Sequence, residues 1–115
     1  MAGILREVDL KYDMPTVNDA IKRITYHIHN AGSLGVTVIK FVHGYGSTGK
    51  GGSIRTEARK YLEAQKKRKQ IKDYIPGEDF SIFSAATIQA FQSCDDLRKD
   101  RDIERHNNGI TIVVL

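Results

Sequence analysis

The sequence predicts one small α/β domain spanning residues 1–115, a two-layer sandwich on a mostly parallel four-stranded sheet in the order β-α-β-α-β-α-β. Three observations predict it. A chain of 115 residues supports one hydrophobic core and not two. Short β-branched or alternating runs take turns with stretches of helical period, and turn residues separate them.

Each element has its own signal. Residues 5–10 read as a first strand, with Val8 and Leu10 on one face. Thr16 is an N-cap, with Asp19 three residues on as a capping box, and Val17, Ile21, Ile24, Ile28 and Ala31 keep a helical period that Gly32 is expected to end. The run GVTVIKFVHG, residues 35–44, is apolar apart from Thr37 and Lys40, the composition of a strand covered on both faces of a parallel sheet. Ser53 is expected to cap a second helix, with Ile54, Ala58, Tyr61, Leu62 and Gln65 on one stripe. IKDYIPG (71–77) reads as a short strand closed by a Pro-Gly turn, FSAATIQAF (83–91) as a third helix, and GITIVVL (109–115) as the last strand. Right-handed helical crossovers, and so parallel strand pairs, follow from that alternation.

Charge is unevenly spread. The net charge is +4, yet residues 50–72 hold nine Lys and Arg against Glu57 and Glu63, so that segment is +7 and the remainder −3. A local anion-binding face fits this better than a uniformly basic surface. Cys94 is the single cysteine, which rules out an intrachain disulfide and suits a packing residue in a reducing compartment. No apolar run approaches the roughly 20 residues of a membrane-spanning helix, and the start lacks a secretory pattern, so the expectation is a cytoplasmic protein without a membrane partner. His27 and His29 cannot share a helix face, and His106 lies in a charged stretch, so no metal-ligand set is expected.

The stretch VHGYGSTGKGGSIR, residues 42–55, carries the functional signal. Five of its residues between positions 44 and 52 are glycine. Gly44 to Lys50 matches G-x-x-x-x-G-K, but Gly51 stands where a nucleotide-binding loop needs a hydroxyl on Mg²⁺. Gly44, Gly46 and Gly49 match G-x-G-x-x-G, but Glu63, at the spacing of the acidic ribose partner, falls within a predicted helix. No nucleotide cofactor is expected. The remaining reading is an anion site made of loop N–H groups and a helix start. At 100° per residue Arg55, Arg59, Lys66 and Lys69 fall within about 80° of one another, a basic ridge leading away from Lys50 and the loop. Loop and ridge together suit a repeating polyanion, with Tyr45 placed to stack on a base. His43 ends its strand beside the glycines, at the carboxyl edge where ligands of parallel sheets lie.

Three stretches resemble the Smr (small MutS-related) domain: VDL (8–10) with TVNDA (16–20), HGYG (43–46) with GGSIRTEARKYL (51–62), and NNGITIVVL (107–115). The resemblance implies a small α/β sandwich that binds DNA or RNA and, in several members, nicks or cleaves it. Phosphate contact by His43, Gly44, Tyr45 and Gly46 is likewise implied by it. The family's first strand usually ends D-L-H-G; here Asp9 and Leu10 match, Lys11 replaces the His and Tyr12 the Gly, and residues 74–106 form a longer segment than the family's. Two function classes follow: an endonuclease working through Asp9, His43 and Lys11, with Mg²⁺ dependence to be tested, or a non-catalytic nucleic-acid-binding module. A protein-interaction domain is the third.

Overall fold

The structure, a computed structural model, describes residues 3–13, 15–44 and 50–115. Among them the chain runs through β1 (Ile4–Asp9), α1 (Val17–Ala31), β2 (Val36–Val42), α2 (Lys50–Lys67), β3 (Asp73–Pro76), α3 (Ala85–Ser93) and β4 (Ile110–Val114). Thr16 Oγ1 accepts from the Asp19 N–H at 3.1 Å and Ser84 Oγ from the Thr87 N–H at 3.4 Å, each satisfying an amide that the first helical turn leaves open. As expected, α1 ends at Gly32, its C-cap. Gly32 keeps a helical φ of −59°, a 3₁₀ turn follows over Gly32–Leu34, and Gly35 with φ 72° stops the chain in the left-handed conformation that closes helices. Ser53, in contrast, lies inside α2 rather than at its cap. Burial of Ile54, Ala58 and Leu62 sets the helix axis, and the first turn extends back through the glycines to Lys50.

The sheet is mixed, in the order β1-β2-β4-β3, which corrects the expectation of a mostly parallel one. β1 and β2 pair in parallel, but β4 lies antiparallel between β2 and β3. The cause is the long segment after β3, which makes two passes instead of one. Its first pass ends at Ser93, whose carbonyl accepts from Thr37 Oγ1 at 2.8 Å near the start of β2. Its return brings the Glu104 N–H to the Phe80 carbonyl at 3.0 Å, so β4 begins beside the end of β3 and must run the other way. Gly77 allows this closure, since a Cβ there would lie 1.8 Å from the Asn107 carbonyl oxygen.

Helices cover both faces, so the sandwich has three layers and not the two expected. α1 and α2 bury Ile24, Ala31, Ala58 and Leu62 against Val8, Ile39, Phe41 and Val113. α3 and a 3₁₀ turn at Asp95–Lys99 bury Ala90, Phe91, Cys94 and Leu97 against Val38, Ile75, Ile110 and Ile112. Two right-handed crossovers stepping the same way along a sheet place their helices on one face, and the reversed step from β3 to β4 leaves α3 for the other. An irregularity where Ile4 pairs Val36 and Leu5 pairs Val38 makes Thr37 an extra residue in β2. Lys40, two residues beyond Val38 in the regular part of the strand, shares its face, beneath the return segment. It is fully buried, donates to Asp100 Oδ1 at 2.8 Å, pairs with Asp102 and lies 3.7 Å from Glu7 Oε1. Burial alone would lower its pKa, but the hydrogen bonds to Asp100 and Asp102 outweigh that and raise it.

Candidate nucleic-acid interface

The directions of the strands collect the candidate residues at one edge. Asp9 pairs with Val42, Val42 with Ile110 and Pro76 with Thr111, so the ends of β1, β2 and β3 meet the start of β4 there. The N–H groups of His43 and Gly44 both donate to the Gly109 carbonyl at 2.9 Å, tying the root of the glycine loop to the turn before β4. Gly44 has φ 79°, which favours glycine, and a Cβ on it would lie 3.6 Å from the Lys11 Cδ. Lys11 thus reaches over the loop's root. Its own N–H donates to Asp9 Oδ1 at 2.9 Å and its ammonium lies 3.6 Å from Asp9 Oδ2, with both side chains about half exposed. Tyr45 and Gly46 fall outside the described residues. The Lys50 backbone opens α2, and its side chain is also outside them.

His43 is buried beneath α2. Its Nδ1 lies 3.0 Å from its neighbour's carbonyl, Gly44 O, and its Nε2 lies 2.8 Å from Thr111 Oγ1. A carbonyl can only accept, so Nδ1 carries the proton and Nε2 accepts from the Thr111 hydroxyl. That hydroxyl oxygen in turn accepts from Arg59 Nε–H at 3.2 Å. Every group in this relay is used once the ring is neutral. Burial drives the imidazole pKa down to about 4, against the pull of the Gly44 carbonyl, and the guanidiniums of Arg59 and Arg55 push the same way. At neutral pH the ring is an uncharged brace between loop and sheet.

Arg59 is the hub of α2. Its guanidinium forks onto Glu78 at 2.9 and 2.8 Å, and its NH2 group also meets the carbonyls of Ile110 at 3.1 Å and Asn108 at 3.3 Å. Glu78 is held below its ordinary carboxylate range despite its burial, because Arg59 bonds the charged form. Beside this pair an open cleft of about 480 Å³ runs along α2, lined by Arg55, Arg59, Lys60, Glu63 and Tyr74. The Tyr74 hydroxyl donates to Glu63 Oε1 at 2.9 Å, which leaves the cleft's mouth to the basic side chains. A second cleft of about 400 Å³ shares Arg55 and Thr56 and extends over the first turns of α2.

The ridge is shorter than its periodicity predicts. Arg55 and Arg59 line the cleft together, while Lys66 turns to Asp73 at 3.0 Å. α2 ends at Lys67 and Lys69 has φ 61°, so Lys69 leaves the helical sector. Sequence reasoning missed Thr111, Glu78, Tyr74 and the Lys40 network. Lys40 had one visible signal, a lone cation in an otherwise apolar strand. Thr111 and Glu78 had none, because only tertiary packing brings β4 and the turn after β3 to α2. Among the described residues no three His, Cys, Asp or Glu side chains converge as metal ligands, and no helix is long and apolar enough to cross a membrane.

An α/β fold with a basic cleft at the strands' carboxyl edge is the class these features define. The crystal structure of the Smr domain of Thermus thermophilus MutS2 matches it with a TM-score of 0.57, at 22% sequence identity over 96% of each chain. This protein therefore has an Smr-like fold. No protein-family model and no curated protein matches the chain.

Proposed function

We propose that this protein is a nucleic-acid-binding Smr-like domain that takes the sugar-phosphate backbone of DNA or RNA along the α2 cleft. The observation that carries the reading is the lining of the cleft: Arg55 and Lys60 stand along it, beside Arg59 with its Glu78 partner. Cations spaced along a trough suit successive phosphates. Tyr45, Gly46 and Lys50 complete the surface in this reading. Arg59 shapes the cleft wall, and Lys66 and Lys69 add diffuse charge at its far end. The likeness of fold to the Smr domain of MutS2 supports the reading.

A second reading, cleavage, is favoured by one observation, the Asp9–Lys11 pair beside Gly44. A phosphate lodged there would have Lys11 to stabilise developing charge and Asp9 to move a proton, with His43 positioning the loop through the Gly44 carbonyl.

Labelled single- and double-stranded DNA and RNA, with and without Mg²⁺, separate binding from cutting. The expected result is micromolar binding with a steep salt dependence, and Arg55→Ala with Lys60→Ala makes the log K against log salt slope shallower by about 1–2. Binding with an unchanged slope overturns the cleft assignment, and no binding at low salt overturns the function. Under the cleavage reading Lys11→Ala cuts turnover by about 10²-fold or more while affinity changes far less.

A further inference from the structure

Away from the α2 cleft, the turn before α3 holds an aromatic ring in water. Phe83 is 90% exposed, with Ile82 and Ile88 exposed around it. Exposure of this kind in a loose loop would mean little, but this turn is rigidly built. The Ser81 N–H bonds Thr87 Oγ1 at 3.3 Å, the Ile82 N–H bonds Glu104 Oε2 at 2.6 Å, the Phe83 N–H bonds Ser81 Oγ at 3.1 Å and the Ser84 N–H bonds the Ser81 carbonyl at 3.0 Å. Ser81 Oγ also donates to Glu104 Oε1 at 2.8 Å. Four consecutive amides are thus committed to hold one apolar side chain outward, which lowers the entropy lost when that ring meets a ligand.

The clamp comes from an unusual stretch of backbone. Glu104 has φ 62° and His106 has φ 53°, two non-glycine residues in the left-handed region flanking Arg105. Such conformations cost free energy and persist where the surrounding structure imposes them. An open cleft of about 440 Å³ lies along this stretch, lined by Arg101, Asp102, Arg105, His106 and Asn107. Its acidic charges are already used: Asp102 by Lys40 and the Asn107 amide, Glu104 by Ser81 and Ile82. Arg101 bonds Glu7 at 3.1 Å, whereas the Arg105 guanidinium has no ion pair or hydrogen bond among the described residues. Arg105 follows Glu104, the residue bonded to Ser81 and Ile82, so its uncommitted cation stands on the segment beside Phe83, while the exposed Asp79 carboxylate lies at the other end of the turn, where the Asp79 carbonyl accepts from Thr87 Oγ1. Glu78 links a wall of each cleft: its carboxylate grips Arg59 and its carbonyl meets His106 Nδ1 at 3.2 Å.

An exposed aromatic beside an uncommitted arginine fits an unstacked base and its phosphate. Resting on the reading of the α2 cleft, we infer that Phe83 and Arg105 form a second subsite for a single-stranded segment, the ring stacking on a base and the guanidinium meeting the adjacent phosphate. A duplex keeps its bases stacked inside and has no base to offer Phe83. The domain accordingly prefers nucleic acid with a single-stranded portion.

The test uses single strands of about 12 nucleotides, DNA and RNA, each carrying one 2-aminopurine, and the matching duplex, against the whole chain and its Phe83→Ala, Phe83→Trp and Arg105→Gln variants. Phe83→Ala is expected to weaken single-strand binding about 5- to 100-fold and abolish 2-aminopurine quenching, with duplex affinity unchanged. Phe83→Trp keeps both, and Arg105→Gln lowers the single-strand salt slope by about 0.7. An unaltered thermal transition is expected for Phe83→Ala, since the ring is exposed. Duplex binding with single-strand affinity indifferent to Phe83 overturns the subsite and leaves the α2 cleft standing. Equal losses on single strand and duplex overturn it as well, as does a self-association that Phe83→Ala dissolves without altering nucleic-acid affinity. Binding to neither form removes the α2 reading and the subsite with it.

Discussion

Replacing Lys40 by Met keeps most of the side chain's volume and removes its charge, which isolates the energetic role of the cation under the return segment. The Lys40 side chain is fully buried, and those of Asp100 and Asp102 are 9% and 13% exposed. Met strands two nearly buried carboxylates, and breaking a buried pair from one side costs about 3–5 kcal/mol. A domain of this size loses about 3–6 °C of Tm per kcal/mol, so the expected fall is about 10–25 °C. Urea unfolding followed by circular dichroism measures the free energy directly. The deficit should shrink as pH falls through the acid range, because Asp102, once it loses the ammonium that holds its pKa down against burial, takes up a proton more readily than before. Adding Asp100→Asn and Asp102→Asn should recover most of the loss, since a neutral set replaces a buried ionic one at little cost. A Lys40→Met protein within about 1 kcal/mol of the natural one, or a triple variant no more stable than the single, would refute the reasoning.

Three further predictions concern pH dependence and the relay at the sheet's edge. Because the His43 pKa falls from 6.5 to about 4 in the fold, the unfolded chain takes up a proton where the folded one does not; the contribution, about 3 kcal/mol, is complete above about pH 6.5 and lost as pH falls towards 4. His43→Gln should flatten that limb of the stability profile, and a His43 resonance titrating near 6.5 in the folded protein would show the burial argument to be wrong. Glu78 and Asp102 add an acid limb below it, since their lowered pKa values give stability that is lost as pH drops through them. Glu78→Gln removes the carboxylate that competes with phosphate for Arg59, so nucleic-acid affinity at low salt should rise several-fold and the salt slope steepen by about 1. Weaker binding would mean that Glu78 serves the site by holding Arg59 in place.

The sequence by itself determined the elements and their alternation, because those follow from local chemistry. Thr16 marks a helix start by the oxygen that it offers to the third amide on, and the β-branched run within residues 35–44 has the composition of a strand covered on both sides. It also located the glycine loop and the basic helix, since charge and glycine are properties of single positions. Direction, layering and partnership lay beyond it. No local signal tells a long connection from one that doubles back, and the second pass over residues 94–107 reversed β4 and sent α3 to the far face. The fate of each charge is likewise a matter of what stands opposite. Arg55 and Arg59 lie close together on a helical wheel, yet only the packing of α2 over β4 and the end of β3 puts Thr111 and Glu78 within reach of Arg59. His43 reads as a loop-side ligand until Thr111 and the Gly44 carbonyl close around it, and Lys40, ordinary in isolation, becomes the buried anchor of the return segment because two aspartates sixty and sixty-two residues later fold onto it.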